Sequence, residues 1–113
     1  MNQTDHTFAA LADPTRRQVV ELLRDGPRRA SEIADALAMS RPAMSRHLRV
    51  LRTKGLVDVE TATADARERL YQLRPDTFVA LQAWLDQLQA YWSEQLGAFK
   101  KHAEATRRGR QAR

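Results

Sequence analysis

The chain contains no cysteine among its 113 residues. Disulfide scaffolds, thiolate metal sites and thiol redox sensing are therefore excluded. Glycine numbers only four, scattered too widely to build a glycine-rich phosphate loop. Hydrophobic residues make up 42% of the chain, yet no apolar run approaches the roughly 20 residues that cross a bilayer. Met1 to Phe8 lack the basic start and apolar core of a secretion signal, so a soluble cytoplasmic protein with no membrane partner is expected. There is no Ser/His/Asp grouping and no pair of carboxylates in a recognisable setting. A non-enzyme without a cofactor is the expectation. Two further absences are local: no Asp or Glu lies between Asp35 and Asp58, and no Lys or Arg between Arg74 and Lys100.

The acid-free stretch is the most informative one. Between Ala30 and Gly55 two short helical patterns are separated by a turn too short to be a linker. Ser40 is a good N-cap for the second, and Pro42 fits its first turn, where the backbone N–H has no intrahelical partner. Met44, Leu48 and Leu51 recur at helical spacing and share one face. Pro42, Ser45, Arg46, Arg49 and Thr53 fall opposite, with Arg41 and Arg52 on one edge. A basic helix face by itself is compatible with plain solvation. Here the layout adds to it: a short helix, a tight turn and a second helix slim at its start through Ser40, Ala43 and Ser45 form a helix-turn-helix, whose second helix enters the major groove. A net charge of +5 suits a polyanionic partner.

The flanks complete the pattern. Residues 5–12 form a short helix with Phe8 and Leu11 on one face; Pro14 opens another, closed by Gly26-Pro27. Arg16 and Arg17 in its first turns are expected at the surface. Ile33, Ala34 and Leu37 are the buried side of the supporting helix. Beyond Gly55 the period changes to two, with Leu56, Val57, Val59 and Thr61, then Arg69, Tyr71 and Leu73, as strands of a hairpin. Arg67 and Arg69 near its tip are placed to reach phosphate or the minor groove. After Pro75 a long helix repeats Phe78, Leu81, Leu85, Leu88, Trp92, Gln95 and Phe99 at three-four spacing, with Trp84 and Tyr91 beside the seam. This stripe exceeds what a small domain needs for its own core, and a homodimer interface accounts for it. The alternative is a helix that folds back and buries the stripe on its own domain, and Phe8 and Leu11 of the first helix can complete either interface. Residues 102–113 are polar, basic and aperiodic, and are expected to be a disordered tail. The expected architecture is mainly α with a small β-hairpin: about five helices in a single domain over residues 1–101, with the recognition helix near 41–54, the wing near 57–73 and the dimer helix near 76–101.

Three stretches, ALADPTRR at 10–17, SRPAMSRHLRVLRTKGLV at 40–57 and RERLYQL at 67–73, resemble the ArsR-type winged-helix transcriptional repressors. The chain is similar to the subgroup with an extended, Trp-containing last helix and no metal sensing. The resemblance implies a homodimer of first and last helices on an inverted-repeat operator near its own or a neighbouring promoter. It assigns Ser40, Arg41, Ser45, Arg46, His47 and Arg49 to the recognition helix, and Arg67 and Arg69 to the wing. Metal-sensing relatives carry cysteines where this chain has Arg29-Ala30-Ser31-Glu32, and others hold zinc through Asp and His on their last helices. Here Asp76, Asp86, Glu94, His102 and Glu104 contain no matching Asp-x-His pair, so no metal site is expected. Relatives often read Asp-Gly-Arg at the wing tip; Asp65-Ala66-Arg67 here points to a different turn.

The reading is thus a sequence-specific DNA-binding repressor, homodimeric, on a palindromic operator, its effector unknown. Two alternatives stand beside it. One is a winged-helix protein-interaction module whose basic face docks on an acidic partner. The other keeps DNA binding but adds a small-molecule pocket lined by Trp84, Tyr91, Trp92 and Phe99.

Overall fold

Eight elements follow one another in the computed structural model, which describes residues 1–61 and 69–111. They are α1 (Gln3–Leu11), α2 (Pro14–Leu23), β1 (Arg28–Arg29), α3 (Ala30–Ala36), α4 (Arg41–Thr53), β2 (Val57–Thr61), β3 (Arg69–Leu73) and α5 (Pro75–Gln111). Two compact units divide the chain, Met1–Leu81 and Gln82–Arg113. The first carries the helix-turn-helix, α3 and α4, and the sheet; the second is helical to Gln111.

Helix ends explain much of the local sequence. The Asp13 carboxylate caps α2 by accepting from the Thr15 and Arg16 amides at 2.8 and 3.2 Å, with Pro14 in the first turn. Arg16 and Arg17 then fold back onto α1. The Arg16 guanidinium donates to the Ala10 and Ala9 carbonyls at 2.6 and 3.3 Å, and Arg17 donates to Leu11 at 2.7 Å. These are carbonyls that a helix C-terminus leaves open. The two arginines of the DPTRR string are therefore helix caps, a more defined role than the surface position read from sequence.

The α3–α4 turn runs through Ala38 at a φ of 53°. There the Met39 amide donates to Ala34 at 2.9 Å and the Ala38 amide to Asp35 at 3.2 Å, the paired closure of a left-handed helix stop. Helix α4 ends the same way at Gly55, with a φ of 87°. The Gly55 amide donates to Arg52 at 3.1 Å and the Leu56 amide to Leu51 at 2.9 Å. Around that stop, Gln3 of α1 donates its side-chain amide to the Lys54 carbonyl at 2.8 Å, and the buried Thr77 hydroxyl of α5 donates to the Gly55 carbonyl at 2.5 Å.

The core of the first unit is formed by Ala10, Val19, Leu23, Ile33, Ala34, Met44, Leu48, Leu51, Leu56 and Val57, with Leu11, Tyr71, Leu73 and Phe78 among the residues packed against it. Every helix of this unit thus contributes to one cluster. In the sheet, β3 lies in the middle. It pairs antiparallel with β2 through Val57–Leu73, Val59–Tyr71 and Thr61–Arg69, and antiparallel with β1 through Arg28–Tyr71 and Arg29–Leu70.

The expected class, mainly helical with a small wing, is the observed one, with two differences. The wing hairpin belongs to a three-stranded sheet, because Arg28–Arg29 adds an edge strand. A two-residue strand carries no period-two signal. Helix α5 also continues through the stretch expected to be a disordered tail. Ala103, Glu104, Ala105, Arg107 and Arg108 are all good helix formers and no proline interrupts them, so propensity continues where hydrophobic period stops.

The two left-handed positions should respond oppositely to substitution. A Cβ at Gly55 would lie 2.7 Å from the Gln3 side-chain oxygen at an unfavourable φ, so Gly55→Ala should cost more than about 1 kcal/mol. Ala38→Gly, which relieves positive φ, should be neutral or stabilise by up to about 1 kcal/mol. Urea denaturation of both variants checks this. A Gly55→Ala midpoint equal to wild type would contradict the described stop.

Candidate nucleic-acid interface

Helix α4 is divided lengthwise. Met44, Leu48 and Leu51 are at most 1% exposed, while Arg41, Ser45, Arg46, Arg49 and Arg52 are all exposed. Burying three such side chains is worth roughly 1.5–3 kcal/mol each, enough to fix which face turns outward. Ser40 caps the helix, accepting from the Ala43 amide at 3.3 Å. Its oxygen is thereby committed to the helix end, whereas Ser45 is open. The N-terminal turns of α4 present small residues between arginines, the form that allows a helix to approach base edges.

His47 differs from the other residues assigned to this helix. It is half-buried and lies within electrostatic reach of Asp13 at the start of α2. It is thus less open than the arginines of the outward face. The Arg16 amide, then that of Thr15, holds the Asp13 carboxyl below its usual value against the opposing effect of burial, and the Arg16 and His47 charges add to the lowering.

On the sheet side, Arg69 is exposed at the end of β3. A cleft of about 240 Å³ joins it to α4, lined by Ser45, Leu48, Arg49, Arg52, Arg69 and Tyr71. The fold thus brings together Ser45, Arg49 and Arg69, which sequence reasoning had selected separately. It adds Arg52 and Tyr71, which were placed only on a helix edge and in a strand. Arg52 could have been found from spacing, since 45, 49 and 52 share a helix side. Nothing in a strand pattern singles out Tyr71. Arg67 lies outside the described residues.

The residues assigned to a dimer seam divide between the units. Leu11 and Phe78 pack partly against the core of the first unit, and Leu81 is half-buried. Phe8 is 44% exposed, and Leu85, Leu88 and Trp92 are 41%, 39% and 55% exposed. Trp84, Tyr91, Leu96 and Phe99 of α5 are exposed as well, and Tyr91 meets Trp92 edge-on at 6.4 Å between ring centroids.

Among the described residues no three His, Asp or Glu side chains are grouped to hold a metal ion, and no helix is long and apolar enough to cross a membrane.

A short supporting helix, a basic second helix and an adjoining antiparallel wing define a winged helix-turn-helix of the DNA-binding kind. Residues 13–59, from the cap of α2 into β2, match the model of the bacterial regulatory proteins of the arsR family. The chain is 42% identical over 95 residues to the HTH-type transcriptional regulator Rv2034 of Mycobacterium tuberculosis, covering 84% of this chain and 83% of that one. This protein belongs to the ArsR family of transcriptional regulators, and it is a regulator rather than an enzyme. Its fold is similar to an ArsR-like transcriptional regulator from Rhodococcus sp. RHA1, with a TM-score of 0.73, 30% identity and coverage of 88% and 91% of the two chains. It is also similar to the homodimeric winged helix-turn-helix DNA-binding domain of Mb0332 from Mycobacterium bovis, with a TM-score of 0.62, 28% identity and 78% of each chain covered.

The Asp13 cap yields a pH prediction. Because its folded value lies below the ordinary 3.8, its contribution to stability is complete above that value and is lost as pH falls through the lower folded one. Asp13→Ala should therefore lower the melting temperature at pH 7, and the gap to wild type should narrow well below pH 3.8. Thermal melts across that range test it; a gap that stays constant with pH would mean the charge of Asp13 contributes nothing.

Proposed function

We propose that this chain is a sequence-specific repressor that binds an inverted-repeat operator as a homodimer and senses no metal. The observation that carries the reading is the split of α4: its apolar side is fully used in the core, and its outward side offers Arg41, Ser45, Arg46 and Arg49. Arg46 and Arg49 are the candidates for base or phosphate contact, Arg41 for phosphate near the helix start and Ser45 for a base edge. Repression follows by occupancy, with two reading heads about one helical turn of DNA apart.

The homodimer is supported by the exposed apolar surface of α5 and by the homodimeric state of the Mb0332 domain. The seven large apolar side chains from Trp84 to Phe99 that are 39% to 71% exposed amount to roughly 700 Å² of apolar surface, above the largest patch a monomer ordinarily leaves open. The absence of metal sensing is supported by the lack of cysteine and of an Asp-x-His pair in the last helix.

Binding to the duplex upstream of its own gene, compared with a scrambled duplex at two salt concentrations, tests the reading. Arg46→Ala or Arg49→Ala should cost about 1–3 kcal/mol on the specific duplex if the side chain reads a base. Unchanged affinity in both variants would remove α4 as the recognition helix. Leu88→Glu should shift sedimentation toward the monomer and weaken specific binding with it. A variant that remains dimeric would exclude the α5 seam.

A further inference from the structure

The cleft between α4 and β3 is lined by three arginines, Arg49, Arg52 and Arg69, together with the hydroxyl-bearing Ser45 and Tyr71 and the buried Leu48. Among the described residues no carboxylate lines it. The ion pairs among the described residues join Arg16 to Asp13, Arg29 to Glu32 and Arg74 to Asp76, so none supplies a counter-charge here. Three like charges around one concavity repel each other, and an anion in their midst reverses the sign of that interaction.

Size and shape narrow the anion. At about 240 Å³ the cleft is below the range that encloses most organic ligands, yet roomy for one tetrahedral oxyanion. Guanidinium forks match phosphate oxygens two at a time, and a phenol or serine hydroxyl donates to a third. Shape also separates the two kinds of DNA contact. A base edge lies at the floor of a groove and must be met by something convex, such as the slim start of α4. A backbone phosphate protrudes and fits a hollow.

We infer that this cleft seats one backbone phosphate of duplex DNA, and that Arg52 and Tyr71 are phosphate contacts additional to the recognition-helix face. The inference rests on the DNA-reading function proposed above and deepens it. Arg52 acts by charge and fork geometry; Tyr71, half-buried against the core, acts as a fixed hydroxyl donor. Together they set the angle between recognition helix and backbone without reading sequence.

The test uses the full-length chain with the upstream duplex and its scrambled counterpart. Arg52→Gln should weaken both duplexes alike, by about tenfold, and reduce the log–log salt slope by about 1. Arg52→Lys should restore the slope but only part of the affinity, because the charge returns without the fork. Tyr71→Phe should weaken both duplexes several-fold with the slope unchanged. Arg24→Gln, at an exposed position outside the cleft, controls for net charge. If Arg52→Gln and Arg24→Gln behave identically while Arg46→Ala still reduces specific binding, the phosphate seat is overturned and the DNA reading stands. If none of these variants alters binding, both fall. NMR of the arginine Nε–H groups separates the sources of the anion. Shifts at Arg49, Arg52 and Arg69 with duplex alone support a backbone phosphate seat. Shifts with inorganic phosphate at matched ionic strength as well support the same chemistry as a general oxyanion site. No shift with either overturns it.

Discussion

The peptide joining Lys54 to Gly55 is where the first unit is tied. Its carbonyl accepts from Gln3 of α1, the next carbonyl accepts from Thr77 of α5, and the glycine itself turns α4 into the wing through a left-handed stop. Leu56 and Val57 follow at once and are buried, so the strand enters the sheet with its faces already assigned. A slip of one residue there would turn every following side chain of β2 to the opposite face. The register in turn sets Tyr71 opposite Val59 and Arg69 opposite Thr61. The placement of Arg69 beside Arg49 and Arg52 is therefore a consequence of how α4 ends.

Packing and electrostatics oppose each other along α4. No acidic residue follows between Asp35 and Asp58 to relieve Arg41, Arg46, Arg49, Arg52 and Lys54. Exposed charges a few ångströms apart repel by about 1 kcal/mol in water, less once salt screens them. Burial of Met44, Leu48 and Leu51 outweighs this, so the helix persists with its repulsion unresolved. That residual repulsion is the part of the structure that a polyanion relieves. The α1–α2 corner shows a different arrangement, where Arg16 and Arg17 donate to carbonyls at the end of α1 and Arg16 also pairs with Asp13.

Much of this was legible in the residues, for definite reasons. The apolar face of α4, its Ser40 cap, the stop at Gly55 and the change to period two in the wing each follow from local rules, and each appears where those rules place it. What the residues could not show depends on distance in sequence. The edge strand at Arg28–Arg29 exists only because Leu70 and Tyr71 lie beside it. Arg16 and Arg17 look like surface charges until α1 ends next to them. Tyr71 reads as an ordinary strand aromatic, and its value lies in sharing a cleft with Arg49 and Arg52 from a different element. Helix α5 shows a different limit, since the hydrophobic repeat ends near Phe99 while helix propensity carries on to Gln111.

The segregation of charge in α5 bears on the proposed dimer. Between Arg74 and Lys100 the helix carries Asp76, Asp86 and Glu94 but no cation, and its large apolar side chains are exposed in the single chain. Two copies with a net charge of +5 each repel at long range, so a seam between them has to be apolar where it closes and free of like-charged cations at its margin. Salt then acts on the two proposed interfaces with opposite sign. It screens the repulsion between copies and leaves apolar contact intact or strengthened, while it weakens phosphate binding through loss of counterion release. A chain that stays paired as its DNA affinity falls with salt is what this division of charge requires, and it places assembly and reading on physically separate terms.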